Sequence, residues 1–223
     1  MTIDIAANRS SIRERAGLVP PTFADAAEAV GRTEPVHRSV GLVVDARPRR
    51  WRSTLALDGV ARAMVADPPC DLFVVHPSVS EHRIAEGVVV GIDRSAGAWQ
   101  VIRRAADRAA ALDTWLHIVM SVDRARVVDV RVGTDRFRAD SLTAAEVHLA
   151  DVQRRTGHDR TSWSVASGRP GRAVCDAAVA RGAATIVVGS RRVGGVGRSR
   201  GSVAIDVVRH APCDVLVVGA TGR

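Results

Sequence analysis

Short apolar runs separated by amphipathic segments fill the last two thirds of the chain. In the first amphipathic segment the apolar residues Val101, Ile102, Ala105 and Ala109 recur at helical spacing. The pattern predicts strands over 87–92, 115–122, 161–166, 184–188 and 213–219. It predicts helices over 96–112, 141–156, 170–181 and 201–210, and a variable loop over 123–140.

The alternation of strands and helices indicates the fold class. Strands that are apolar on both faces and alternate with helices are typical of a parallel sheet covered on both sides. Right-handed crossovers then give an α/β fold with a doubly wound, five-stranded parallel sheet. The ligand crevice of such a sheet lies outside the carboxyl ends of the strands, where the strand order reverses. Asp93 and Gly189 each follow a predicted strand directly, so we expect both near that crevice.

A glycine- and arginine-rich loop follows the fourth of these strands. Its sequence is Gly189-Ser-Arg-Arg-Val-Gly194-Gly-Val-Gly-Arg-Ser-Arg200-Gly201-Ser202, and a predicted helix follows. Glycines let the backbone approach a ligand closely, and the amides that open a helix attract anions. The loop therefore predicts a phosphate site, with a nucleotide as the leading ligand. A solvated connection that binds no ligand is the alternative.

The N-terminal part contains a degenerate copy of the C-terminal part. Asp67-Pro-Pro-Cys70-Asp71-Leu-Phe-Val-Val75 matches His210-Ala-Pro-Cys213-Asp214-Val-Leu-Val-Val218. We divide the chain into a tail (1–20), a truncated half domain (21–77), a linker (78–86) and a complete domain (87–223). In the first copy Asp45 replaces Gly189, and Asp58-Gly59 replaces Gly201-Ser202. Carboxylates would repel phosphate there, so this copy is not expected to bind a nucleotide alone.

Composition narrows the possible partners. The net charge is +8 and every basic residue is arginine, but on the predicted helices arginines alternate with acids, as in Arg103-Arg104-Ala-Ala-Asp107-Arg108. That pattern is typical of a solvated helix face. Only the 191–200 loop concentrates arginine. Because no aromatic residues for base stacking accompany these arginines, nucleic-acid binding is not expected.

The cysteines, histidines and apolar runs argue against further classes of site. The three cysteines and seven histidines have no metal-ligand spacing. No apolar run reaches membrane-spanning length, and no signal peptide is evident. A cytoplasmic protein is the expectation.

The order of these elements resembles that of the universal stress protein family. The resemblance covers roughly 87–219 and is carried by Val88-Val-Val-Gly-Ile-Asp93-Arg-Ser95, by the glycine loop, and by the closing segment 209–218. In the nucleotide-binding branch of that family an Asp at the end of the first strand recognises the base. A pattern of Gly, two residues, Gly, nine residues, Gly and Ser/Thr holds the phosphates.

The resemblance implies a nucleotide site formed by Ile92, Asp93, Ser121, Gly189, Arg191, Arg192, Gly194, Gly201, Ser202 and Val203. Asp93 would accept a hydrogen bond from an adenine amine, and Ser95 would cap the following helix. Ser121 would contact the base through its backbone, and the Ser202 hydroxyl with the amides of Ser202 and Val203 would hold phosphate. The alternative is that Asp93 is only a turn residue at the strand end.

The loop departs from the family pattern at one position and in its length. Arg192 stands where the family has its second glycine, and eight residues, not nine, separate it from Gly201. The loop is therefore bulkier and shorter than the family's. Arg191 and Arg192 supply guanidinium donors suited to phosphate, and Gly194 leaves the loop able to change shape.

The resemblance implies a non-catalytic stress-response regulatory protein that binds an adenine nucleotide, with ATP, with or without Mg²⁺, as the expected form. A nucleotide-free dimerisation or interaction module is the alternative, because the phosphate loop is degenerate. A hydrolase or transferase is a third possibility, but it would need a catalytic base near the phosphates, and the chain has no lysine and no evident nucleophile–base pair.

The resemblance also implies a mode of assembly. Members of the family commonly pair through their last strands. The resemblance therefore implies either a homodimer through these strands or an intramolecular pseudo-dimer, in which strand 71–76 lies beside strand 213–219. The alternative is that residues 1–86 are a loosely attached appendage.

Overall fold

The secondary structure follows the predicted alternation closely. A computed structural model describes residues 39–40, 62, 65–66, 68, 70–74, 86–123, 126–132, 134–190 and 202–219. The strands are β1 (Ser39–Val40), β2 (Asp71–Val74), β3 (Val88–Ile92), β4 (Leu116–Val122), β5 (Val127–Val132), β6 (Asp135–Asp140), β7 (Thr161–Ser167), β8 (Thr185–Gly189) and β9 (Asp214–Val218). The helices are α1 (Ala98–Ala111), α2 (Ser141–Thr156), α3 (Pro170–Arg181) and α4 (Ser202–His210).

The main sheet is larger than predicted. Its order is β1-β2-β9-β8-β3-β4-β7, and the five strands from β9 to β7 run parallel, as expected. The five strands predicted for residues 87–219 are all present, and β1 and β2 extend the sheet to seven strands within the described residues. From β3 the chain first adds β4 and β7 on one side of the sheet and then adds β8 and β9 on the other side. The switch point therefore lies between β3 and β8.

Alternation along the strands divides the core into two layers. Val88 and Val90 of β3 belong to the cluster that packs on α1 and α2, whereas Val89 belongs to the cluster on α3 and α4. All three side chains are fully buried. Because both faces of each central strand are covered, their sequences are apolar throughout. Within the described residues no helix is both long and apolar enough to cross a bilayer.

The segment 123–140 is not the variable loop that we predicted. It forms the antiparallel hairpin β5–β6, in which Val132 lies opposite Asp135 across a two-residue connection. Apolar and polar residues alternate through Val128-Asp129-Val130-Arg131-Val132, which is the pattern of a strand with one buried face. The hairpin leads directly into α2, because the Asp140 carboxylate accepts hydrogen bonds from the amides of Leu142 and Thr143 at 2.9 and 3.0 Å.

β2 lies beside the last strand, as predicted. It pairs antiparallel with β9, with Leu72 opposite Val217 and Phe73 opposite Leu216, and β1 pairs parallel with β2. The alternative of a loosely attached appendage is therefore wrong for β2. Most of the remaining segment 1–86 lies outside the described residues, so its boundaries and its origin as a half domain stay predictions.

A buried carboxylate ties β2 to the rest of the domain. The Asp71 side chain is 2% exposed, and its Oδ2 lies 2.8 Å from Nε of Arg104 on α1. Its Oδ1 accepts a hydrogen bond of 3.0 Å from the backbone amide of Gly219. A Cβ at position 219 would come within 2.5 Å of the carbonyl oxygen of Cys70, so only glycine permits this approach.

Three polar residues spaced four apart on α1 contact the β2–β9 edge. Besides Arg104, Gln100 Nε2 donates to the carbonyl oxygen of Gly219 at 2.7 Å, and the Arg108 guanidinium lies 5.3 Å from the centroid of the Phe73 ring. Spacing of four residues puts all three on one helix face. The interpretation of this segment as a solvated face is therefore wrong for Arg104 and Arg108, which contact β2.

One histidine is buried in the core. His117 of β4 is 1% exposed, and its ring nitrogens lie 2.8 Å from Oγ of Ser162 and 2.9 Å from Oγ of Ser164, both on β7. Burial, with a smaller contribution from Arg181, lowers the pKa of His117 from 6.5 to about 4. The ring is therefore neutral at physiological pH and packs as a hydrogen-bonded core residue.

We predict that Asp71→Ala strongly destabilises the protein. The substitution removes one buried acceptor from both the Arg104 guanidinium and the Gly219 amide, which should lower the free energy of unfolding by about 3 kcal/mol. Urea denaturation measures the loss. Asp176→Ala is the matched control, because its ion pair with Arg172 is exposed and should contribute about 0.5 kcal/mol or less. Equal losses in the two variants would contradict the role given to Asp71.

We predict that His117 makes stability depend on pH. Because its pKa of about 4 in the folded state lies below its ordinary 6.5, the unfolded chain binds more protons between these values. The contribution is complete above pH 6.5 and is lost as the pH falls, amounting to on the order of 3 kcal/mol. Denaturation midpoints of wild type and His117→Gln across this range test it. If the two proteins lose stability in parallel, His117 is not the group responsible.

Candidate functional site

Asp93 lies at the switch point of the sheet, directly after β3. Its side chain is exposed, and Oδ1 accepts a hydrogen bond of 2.9 Å from the Ser95 amide. The structure thus supports the turn role for one carboxylate oxygen. Oδ2 has no protein partner among the described residues, so it can accept a hydrogen bond from a ligand. The preceding Ile92 is half-buried and packs against the α1–α2 core.

Two buried hydroxyls mark the ends of the two switch-point strands. Ser190 follows Gly189 of β8, is 2% exposed, and donates its backbone amide to the Val218 carbonyl at 2.9 Å. Its Oγ and that of Ser95 are buried without a hydrogen-bond partner among the described residues. A buried hydroxyl without a partner is costly, and this fits a polar ligand at this edge.

Ser95 does not cap the following helix, contrary to expectation. The N-cap of α1 is Gly97, which makes no side-chain capping bond, and the Ser95 hydroxyl lacks a partner among the described residues. Sequence reasoning missed Ser190 altogether. The one available signal was its place two residues after the end of the predicted strand 184–188, since no motif position of the family falls on it.

The phosphate-loop residues are only partly within the described chain. Four predicted residues lie outside it: Arg191, Arg192, Gly194 and Gly201. Ser202 begins α4, so its amide belongs to the helix terminus where anions are favoured. Val203 is half-buried and packs against the α3–α4 core, which leaves its backbone as the part suited to a ligand.

Ser121 lies near the end of β4, one strand beyond β3. Its Oγ donates a hydrogen bond of 2.8 Å to the carbonyl of Gly168, in the turn after β7. The side chain is thus engaged within the protein, which is compatible with the predicted contact through backbone. Since Ile92 lies opposite Met120 and Gly91 opposite Val188, the structure brings three predicted strand-end residues, Asp93, Ser121 and Gly189, to one edge.

The described residues offer little for covalent or metal chemistry. No group of three or more histidines, cysteines and acids within them has the arrangement of a metal site. Burial raises the pKa of the Cys175 thiol to about 12, and burial followed by Asp214 raises that of Cys213 further. Both thiols are therefore protonated and unreactive at neutral pH.

Comparison with known proteins places the fold in a family context. A model of the "Universal stress protein family" matches residues 86–219. A relative from Thermus aquaticus, a universal stress protein of the QAH/OAS sulfhydrylase 3′ region, is 40% identical over 78 residues, which are 34% of this chain and 57% of the relative. A universal stress protein structure from Archaeoglobus fulgidus DSM 4304 has a TM-score of 0.51 at 20% identity, over 71% of this chain and 52% of its own.

Two further structures are similar. A protein of unknown function from Pseudomonas aeruginosa PAO1 has a TM-score of 0.54 at 14% identity, over 80% of this chain and 62% of its own. A universal stress protein solved in complex with cAMP has a TM-score of 0.46 at 25% identity, over 61% of this chain and 99% of its own. The chain spans about half the length of the Thermus and Archaeoglobus DSM 4304 relatives. The likeness to the Archaeoglobus and Pseudomonas structures shows the fold alone.

Proposed function

The chain belongs to the universal stress protein family, and on that premise we propose that it is a stress-response regulatory protein that binds an adenine nucleotide. ATP is the form that we expect. The base would lie at Asp93 and Ser121, and the phosphates at Ser190, Ser202 and the loop between them. The domain of residues 87–223 would thus act as the sensor.

Oδ2 of Asp93, which has no partner among the described residues, is the observation that carries this proposal. An exposed acceptor at the switch point suits the exocyclic amine of adenine, while guanine in the same orientation would present its carbonyl oxygen and be repelled. The buried Ser190 hydroxyl supplies a donor at the neighbouring strand end, and the amides that open α4 favour anionic groups. This combination of acceptor and donors supports the proposal.

The proposed activity is binding without catalysis. His117, the buried histidine that contacts serines, makes a poor base because burial lowers its pKa to about 4. The chain contains no lysine to stabilise transferring phosphates. Mg²⁺ would arrive on the phosphates of ATP, since the described residues include no cluster suited to holding a metal ion.

The second candidate function is a nucleotide-free interaction module. Arg192 in place of a glycine and the shortened loop favour it, because a bulky side chain can block close approach of the backbone to phosphate. In that case the protein would act through its surfaces. Nucleotide binding distinguishes the two candidates directly.

The β2–β9 pairing supports an intramolecular pseudo-dimer. Phe73 lies opposite Leu216, which is its own counterpart in the sequence repeat, and the pairs on either side exchange counterparts in the same way. β1 runs parallel to β2 just as β8 runs parallel to β9. This is the register of a two-fold interface, formed here within one chain. We therefore favour the pseudo-dimer over a homodimer through the last strands.

We predict that wild-type protein binds ATP and that Asp93→Ala weakens binding at least about tenfold, because a hydrogen bond to a charged acceptor is lost. Isothermal titration with and without Mg²⁺ measures the affinity, after the preparation is checked for co-purified nucleotide. Asp107→Ala, an exposed acid on α1, is the matched control. GTP should bind more weakly than ATP to wild type. If the folded, nucleotide-free protein does not bind ATP, the result contradicts the nucleotide-binding proposal and favours the interaction module.

We predict that the wild-type chain is monomeric, because β2 already occupies the β9 edge. Light scattering coupled to size exclusion should give the mass of one chain. Phe73→Pro should shift the protein towards dimers, because proline prevents the backbone pairing and exposes the edge. Phe73→Ala keeps that pairing and should stay monomeric. A wild-type dimer, or identical masses for the two variants, would contradict the pseudo-dimer.

A further inference from the structure

A cavity of about 260 Å³ lies beside Arg94, the residue that follows Asp93. It is bounded by β5, by α2 and by the turn after β3. Its lining consists of Arg94, Val130, Arg131, Ala144, Val147, His148, Asp151 and Arg154. Five of these residues come from one face of α2, and the hairpin missed by the sequence analysis supplies two.

The cavity carries a net positive charge. Three of its residues are arginines and one is an acid. Asp151 already binds two guanidinium groups on its own helix, at 3.1 Å to Arg154 and 3.3 Å to Arg155. Arg94 and Arg131 have no ion pair among the described residues. Two guanidinium groups on different elements therefore lie at one cavity without an ion-pair partner in the part of the chain that the structure describes.

A buried nitrogen in the same cavity lacks a partner. Nε2 of His148 is enclosed, and no described residue forms a hydrogen bond with it. Burial, followed by the charge of Arg94, lowers the pKa of His148. The His148 ring is therefore a neutral part of the cavity wall, and the positive charge of the cavity comes from its arginines.

We propose that this cavity binds a tetrahedral oxyanion, a phosphoryl or sulfuryl group, held by Arg94 and Arg131. Guanidinium groups donate pairs of hydrogen bonds to such oxygens. Val130 and Val147 give the cavity an apolar part, which strengthens these contacts. Neither arginine is among the residues proposed to bind the nucleotide, so the site does not require nucleotide binding at Asp93.

Inorganic sulfate is the probe, because its charge does not change near neutral pH. Titration into ¹⁵N-labelled full-length protein at constant ionic strength should shift the amide signals of residues 94, 130–131 and 147–151. Arg131→Gln and Arg94→Gln should each weaken sulfate binding about tenfold. Arg138→Gln, an exposed arginine on the same hairpin outside the cavity lining, should leave the affinity unchanged.

The possible outcomes separate the proposal from its alternatives. Saturable shifts at the cavity that both variants reduce and the control does not would establish the site. Sulfate that shifts only residues near 190 and 202–203, or that affects all three variants equally, would overturn it. A repeat titration at saturating ATP identifies the source of the anion. Competition means that one ligand spans both sites, and independent binding means a separate anion.

Discussion

The parallel pairing of β3 with β8 is the contact on which the site and both core layers depend. These strands are neighbours in space although roughly ninety residues separate them in sequence, so their carboxyl ends meet where the chain reverses direction across the sheet. Their alternating valines fill one core layer on each face. Asp93 and Ser190 lie at this edge because the strands end in register. A shift by one residue would move each apolar side chain to the opposite layer, so the core fixes the geometry of the site.

The other constraint is the open edge at β9. An apolar edge strand with unpaired backbone groups is a template for pairing with another chain, and here β2 satisfies it within the molecule. The buried Asp71 carboxylate makes this pairing specific, since a register shift would break its ion pair with Arg104. The cost of burying these charges is offset by the Gly219 amide, which gives the carboxylate a second donor. Charge burial thus selects one register where hydrophobic contact alone would permit several.

Local sequence signals predicted most of the secondary structure. Most of the features that were not predicted depend on contacts between residues distant in sequence. The helices 141–156 and 170–181 were predicted to the residue, because capping, proline and periodicity act within a few positions. The hairpin at 127–140 was missed although the alternation of its apolar and polar residues was visible in the sequence. Nothing in the sequence reveals that Arg104 meets Asp71 or that the Ser190 hydroxyl is buried. Both facts depend on strands that meet only after folding, and a helix face of alternating charges gives no indication of which arginines are covered.

The adjacent residues Asp93 and Arg94 carry opposite charges, so they favour different chemical groups of a ligand at this edge. The carboxylate favours an amine and opposes anions, whereas the guanidinium beside it faces a cavity with two further arginines. The proposed nucleotide would therefore meet opposite fields on the two sides of Asp93, with its base favoured at the carboxylate and its anionic groups favoured away from it. The hairpin contributes to this difference, because it places Arg131 at the same cavity as Arg94.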